Sequence, residues 1–120
     1  MPPEGRDPSY LWDMLNAARS IERMLQGVTL EQFLADEMRR LAVERLLEII
    51  GEAGRRVGKS FQDAHPEIPW RDIIALRNVV AHEYDRIDYD EIWAIASGDM
   101  PKLALSLALL VKEPEKDVGG

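Results

Sequence analysis

Four polar side chains whose types could carry chemistry, Arg77, Asn78, His82 and Tyr84, fall within the eight-residue run from Arg77 to Tyr84, and Arg77 with His82 is the pair suited to a phosphodiester. An imidazole titrates near neutral pH, so it can deprotonate a ribose 2′-hydroxyl or protonate a leaving oxygen. A guanidinium can hold phosphate oxygens through its rigid fork of donors and offset the charge that develops on them. Together they suit RNA backbone cleavage, and that chemistry needs no metal. The competing reading is structural: an arginine and a histidine at a helix end cap carbonyls and interact with the helix dipole. At about 100° per residue, Asn78 and His82 share a helix face, whereas Arg77 and His82 lie roughly 140° apart around the axis. Two arrangements would let them converge on one phosphate. Either the helix end unwinds at His82, or a two-fold axis brings two copies of the helix together. The homodimer is the favoured reading.

Other groups carry less. Glu52 is a secondary candidate, a carboxylate that could orient a basic side chain of the site, and it also stands four residues before Arg56, a pairing helices commonly make. His65 and His82 are seventeen positions apart, which is no metal-pair spacing, and His65 reads as a loop residue. His82-Glu83 lacks the second histidine of a zinc-protease helix, and no phosphate-binding glycine loop or dinucleotide fingerprint occurs. With no cysteine there is no disulfide, thiolate metal site or thiol nucleophile. Neither a metal nor a cofactor is therefore expected. Trp70, Tyr89 and Trp93 read as core or interface packing residues, with base stacking as the alternative for one that is exposed.

The elements that must position these groups are all helical. Asp7-Pro8 is a start signal, and Leu11, Met14, Leu15, Ala18, Ile21 and Leu25 recur at helical steps until Gly27, predicting a helix over 8–26. Thr29-Leu30-Glu31-Gln32 fits a capping box. A helical pattern runs from there to Lys59, with Asp36 as the candidate break. Its apolar face, Ala42, Leu46, Ile49, Ala53 and Val57 beside Val43, Leu47, Ile50 and Gly54, is wide enough to touch two other helices. Gly54 and Gly58 read as close helix packing. Gly51-Glu52-Ala53-Gly54 imitates an RNA-binding GxxG loop, but its surroundings are helical. Pro69 starts a third helix ending near His82 or Glu83. Asp88 caps a fourth through Ala96, closed by Gly98, and Asp99 with Pro101 begins a fifth that ends before Pro114. Nothing alternates as a strand does. The expected fold is all-α, an antiparallel bundle of about five helices in a single domain over residues 1–120, with 113–120 as a frayed tail.

A chain of 120 residues with formal charge −7 does not coat nucleic acid non-specifically. One segment departs from that balance. From Arg39 to Lys59 six basic residues face three acidic ones, which reads either as a local basic site or as a helix face laced with ion pairs. The apolar run Leu103–Val111 is about half the length a membrane span needs and belongs in a core. No apolar leader region is present near Met1, so a cytoplasmic location is expected.

The run Arg77-Asn78-Val79-Val80-Ala81-His82-Glu83-Tyr84 resembles the R-x4-H-x-Y motif of the HepT branch of the HEPN superfamily of nucleases and nucleotide-binding proteins. The likeness extends along almost the whole chain, through Asp7-Pro8-Ser9-Tyr10-Leu11, Ala42-Val43-Glu44-Arg45, Ile49-Ile50-Gly51-Glu52-Ala53 and Pro66-Glu67-Ile68-Pro69-Trp70. It implies a small helical homodimer with a composite, metal-independent endoribonuclease site at the subunit interface. It also implies a toxin paired with a minimal nucleotidyltransferase antitoxin. On this resemblance Arg77 stabilises the phosphate, His82 is the general acid/base, Asn78 assists, and Tyr84 accepts AMP from the antitoxin and is thereby silenced. The resemblance leaves an alternative, since relatives include non-catalytic nucleotide-binding or regulatory partners of a nucleotidyltransferase.

Overall fold

The computed structural model describes residues 5–80 and 87–111. Its first helix, α1, spans Asp7–Leu25, with Arg6 in the cap position and no side-chain cap. Asp7 is therefore not the cap its type suggested. Its carboxylate reaches across the molecule instead, Oδ1 accepting the Gly58 N–H at 2.9 Å. The expected stripe does bury α1, since Leu11, Met14, Leu15, Ala18, Ile21 and Leu25 all lie in the core. Gly27, at φ +74°, turns the chain in the left-handed region that glycine enters without strain.

The long second segment is divided. Thr29 Oγ1 accepts the Gln32 N–H at 3.1 Å and Gln32 Oε1 accepts the Thr29 N–H at 2.9 Å, and this capping box opens α2, Leu30–Ala35. Asp36 is extended and its side chain accepts the Arg39 N–H at 3.1 Å, which starts α3, Glu37–Arg56. The expected run to Lys59 stops at Val57, where ψ is 135°, and a separate short helix α4 follows over Lys59–Ala64. Val57 and Phe61 are both buried at a four-residue spacing, so periodicity reads as continuous while the backbone bends between them. The bend frees the Gly58 N–H to bond Asp7.

The connector after α4 is held by His65, whose carbonyl accepts the Trp70 Nε1–H at 2.9 Å and whose ring lies 4.3 Å from that of Phe61. α5 then spans Trp70–Val80. The predicted end near His82 or Glu83 lies outside the described residues. Asp88 caps α6, Tyr89–Ala94, accepting the Asp90 and Glu91 N–H groups. The expected closure at Gly98 does not occur. The chain stays helical through a wide π turn, Ile95–Asp99, into α7, Met100–Ala108. Pro101 has no N–H to give, and the wider turn, in which the Met100 N–H bonds the Ile95 carbonyl, carries the helix past it.

The long helices run antiparallel. Gly58, just past α3, meets Asp7 at the start of α1, and the end of α1 faces Ala96 and Pro101. Along α3 and α5 the contacts run in opposite directions, Gly51 against Arg77 and Gly54 against Ile73. Among the described residues there is no strand, so the all-α expectation holds. The expected five helices become longer and shorter pieces, with α6 and α7 fused through the π turn. Of the run Leu103–Val111, Leu103, Ala104 and Leu107 are buried while Leu105 and Leu109 are exposed. No described helix is long and apolar enough to cross a membrane.

Candidate active site

Two glycines decide how close α5 comes to α3. A Cβ placed on Gly54 would stand 2.7 Å from Ile73 Cγ2, and one on Gly51 would stand 3.1 Å from the Ile73 carbonyl oxygen and 3.2 Å from Arg77 Cγ. Both lie below ordinary van der Waals contact. The pair that permits close packing is thus Gly51 with Gly54, whereas Gly58 meets the Asp7 carboxylate. Because Gly51 has no side chain, Arg77 can cross α3 beside the next residue, Glu52.

Glu52 is where the cations gather. Its Oε1 accepts from Arg55 Nη2 at 2.6 Å and from Arg56 Nε at 2.9 Å, and its Oε2 stands 3.6 Å from Arg77 Nη1. The first two are neighbours on α3, while Arg77 arrives from α5. The Arg55 and Arg56 bonds are the largest causes that hold the Glu52 carboxyl down at about 2. Glu52 therefore makes the local Arg56 pair that its spacing suggested and also touches Arg77.

Around this cluster α1, α3 and α5 enclose an open cleft of about 880 Å³. Tyr10 and Asp13 line it from α1, Arg45, Glu48, Glu52 and Arg56 from α3, and Arg71, Ile74, Arg77 and Asn78 from α5. Four arginines against three carboxylates make the cleft locally positive in a chain of net charge −7. Arg77 and Asn78 are brought together here with Glu52; the predicted residues His82 and Tyr84 lie outside the described residues. Of the basic segment, Arg39 pairs with Asp36, Arg45 with Glu48, Arg55 and Arg56 with Glu52, and Lys59 with Asp63. The ion-pair reading thus describes most of it, and Arg45 and Arg56 also face the cleft.

Sequence reasoning missed Tyr10, Asp13 and Arg71 as cleft residues. Arg71 carried a usable signal, since it stands seven residues before Asn78 and shares its face of a helix. Tyr10 and Asp13 carried none, because their place depends on α1 packing antiparallel to α3. The expected packing aromatics lie elsewhere. Trp70 is buried against Phe61, while Tyr89 and Trp93 pack on Phe33 with the Arg40 guanidinium 4.9 Å above the Tyr89 ring.

Fold and cleft together define a small all-α bundle that sets an arginine and an asparagine of one helix in the lining of a polar groove. The family is given by comparison with known proteins: a family model described as "Ribonuclease HepT-like" matches residues 14–109. The chain belongs to this HepT-like ribonuclease family. It is 37% identical over 95 residues to "Putative RNase MJ1380" of Methanocaldococcus jannaschii, covering 79% of this chain and 87% of that one. It is 38% identical over 94 residues to "Probable ribonuclease HepT" of Thermococcus cleftensis, covering 78% and 86%. A third relative, "Putative RNase MJ0127" of M. jannaschii, is 31% identical over 107 residues, covering 89% and 88%. No solved structure matches the chain.

Proposed function

We propose that this protein is a metal-independent endoribonuclease toxin, acting in the cytoplasm as a homodimer whose composite site pairs Arg77 with His82. The observation that carries the reading is Arg77 beside Asn78 in the lining of the cleft, with Glu52 3.6 Å from the guanidinium. In the reaction a ribose 2′-oxygen attacks the adjacent phosphorus and the bond to the 5′-oxygen breaks. His82 takes the hydroxyl proton or supplies one to the leaving oxygen, and Arg77 neutralises the charge on the phosphoryl oxygens. The products end in a 2′,3′-cyclic phosphate, or the 3′-phosphate formed by its hydrolysis, and in a 5′-hydroxyl.

Pairing of two copies is supported by α3. Met38 is 82% and Leu41 53% exposed, and with Arg45, Glu48 and Glu52 they recur at three- and four-residue steps along one stripe that leads to the cleft. A two-fold contact there would set two clefts near one another. The partner is a minimal nucleotidyltransferase antitoxin, with which the dimer can assemble further. It acts on Tyr84: the phenol oxygen attacks the α-phosphorus of ATP, pyrophosphate leaves, and the phenol loses its proton.

The test incubates purified protein with mixed cellular RNA, with and without a chelator. Cleavage that survives the chelator, leaves cyclic or 3′-phosphate ends and vanishes in folded Arg77→Ala and His82→Ala variants is the expected result. A folded His82→Ala dimer that still cuts would remove the catalytic assignment. Wild-type protein that cuts no RNA would favour a regulatory partner of the nucleotidyltransferase.

A further inference from the structure

The α5 wall of the cleft holds a second cation whose chemistry is unused. Arg71 and Asn78 are seven residues apart, so they project within about 20° of one bearing, about 10.5 Å apart along the helix axis. Both line the cleft, with Ile74 and Ala75 between them. The other arginines there are engaged: Arg45 by Glu48, and Arg56 and Arg77 by Glu52. Among the described residues Arg71 has no ion-pair or hydrogen-bond partner. An exposed guanidinium without a partner among the described residues, lining a groove on the same bearing as Asn78, is suited to receive an anion.

We propose that Arg71 is a second phosphate subsite for single-stranded RNA. It binds a phosphate that flanks the one held at Arg77 and Asn78, with the intervening sugar and base lying over Ile74 and Ala75. This rests on the ribonuclease reading above and adds to it a direction for the strand, along α5 away from the chemistry. A single strand suits the site because its unstacked sugars and bases present apolar faces as well as phosphates. The subsite also helps an acidic protein to hold a polyanionic substrate, since it adds a cation to a groove in which four arginines face three carboxylates.

The experiment measures binding of a short single-stranded RNA made uncleavable by 2′-O-methylation, by fluorescence anisotropy at several salt concentrations. One lost phosphate contact lowers the slope of log affinity against log salt by about 0.7 for a single strand. Between 50 and 200 mM salt the wild type should therefore lose roughly 2- to 3-fold more affinity than Arg71→Ala. Arg71→Lys should keep the wild-type slope, and circular dichroism should show all three helical, as expected for an exposed side chain. On a cleavable strand of the same length Arg71→Ala should raise KM and leave kcat unchanged, unlike Arg77→Ala. An unchanged slope in folded Arg71→Ala overturns the subsite while the ribonuclease reading stands. Wild-type protein that neither binds nor cuts RNA removes both.

Discussion

Three guanidinium groups gather on the Glu52 carboxylate, and that arrangement fixes how it responds to pH. Its folded value, about 2, lies below the ordinary 4.5, so its contribution is complete above pH 4.5 and is lost as pH falls toward 2. Through the neutral range Glu52 is an anion and transfers no proton. Its task on the proposed mechanism is to position Arg77. Glu52→Gln should lower kcat roughly 10- to 100-fold, the cost of a misplaced group, while the limb of the pH–rate profile near the imidazole value stays where it is. A limb that moves with this substitution would mean that Glu52 itself titrates in the reaction. Tyr84 carries the proposed control. A nucleotidyltransferase with ATP should add one AMP at Tyr84 and stop cleavage, because the nucleotide is bulky and its phosphodiester repels an incoming strand. Tyr84→Phe should cut RNA and resist this silencing. Mass spectrometry that finds AMP on another residue would refute the switch.

At the scale of elements, the contact between α3 and α5 is made by missing side chains. Gly54→Ala gains up to about 1 kcal/mol of helix propensity, but its methyl would lie 2.7 Å from Ile73 Cγ2, a branch held in the core. Overpacking of this kind costs about 1–3 kcal/mol, so a net loss of stability is expected in denaturant titration. The cycle with Ile73→Ala isolates the clash: if it is real, Gly54→Ala costs less in that background. Equal costs in both backgrounds would show that the helices do not meet there. Gly51→Ala presses on Arg77 Cγ and on backbone, and its effect should appear in activity as well as stability. α1 and α4 depend in the same way on Asp7, where Asp7→Ala leaves the half-buried Gly58 N–H without its acceptor, a loss of about 1 kcal/mol.

For the whole molecule, the question is whether one chain or two build the site. Arg77 and His82 lie roughly 140° apart on a continuing helix, which is why the proposed site joins the arginine of one subunit to the histidine of the other. Folded Arg77→Ala and His82→Ala proteins, each inactive alone, can then complement. In a mixed dimer one of the two composite sites is intact, so an equal, fully exchanged mixture should recover about a quarter of wild-type activity. A site built within one chain gives no recovery, and that result would overturn the composite arrangement. Sizing chromatography of each variant checks that the dimer persists.

The helices, their main caps and the apolar stripe of α1 were legible in the chain because each depends on neighbours three or four residues away. Thr29 with Gln32, and Leu11 with Met14 and Leu15, are local facts. So was the motif from Arg77 to Tyr84, which is contiguous and therefore readable without a fold. The same locality explains the errors. Val57 and Phe61 keep helical spacing across a bend, and Gly98 looks like a stop although the chain passes it as a π turn. Asp7 looks like a cap, yet it bonds a residue 51 positions away. The cleft itself was beyond the sequence. Tyr10, Arg45, Arg71 and Asn78 come from three helices, and only antiparallel packing with α5 drawn in against Gly51 and Gly54 puts them around one space. Local spacing determined which residues could act, and tertiary packing decided which of them share a site, because helix-to-helix distance is set by side chains far apart in the chain.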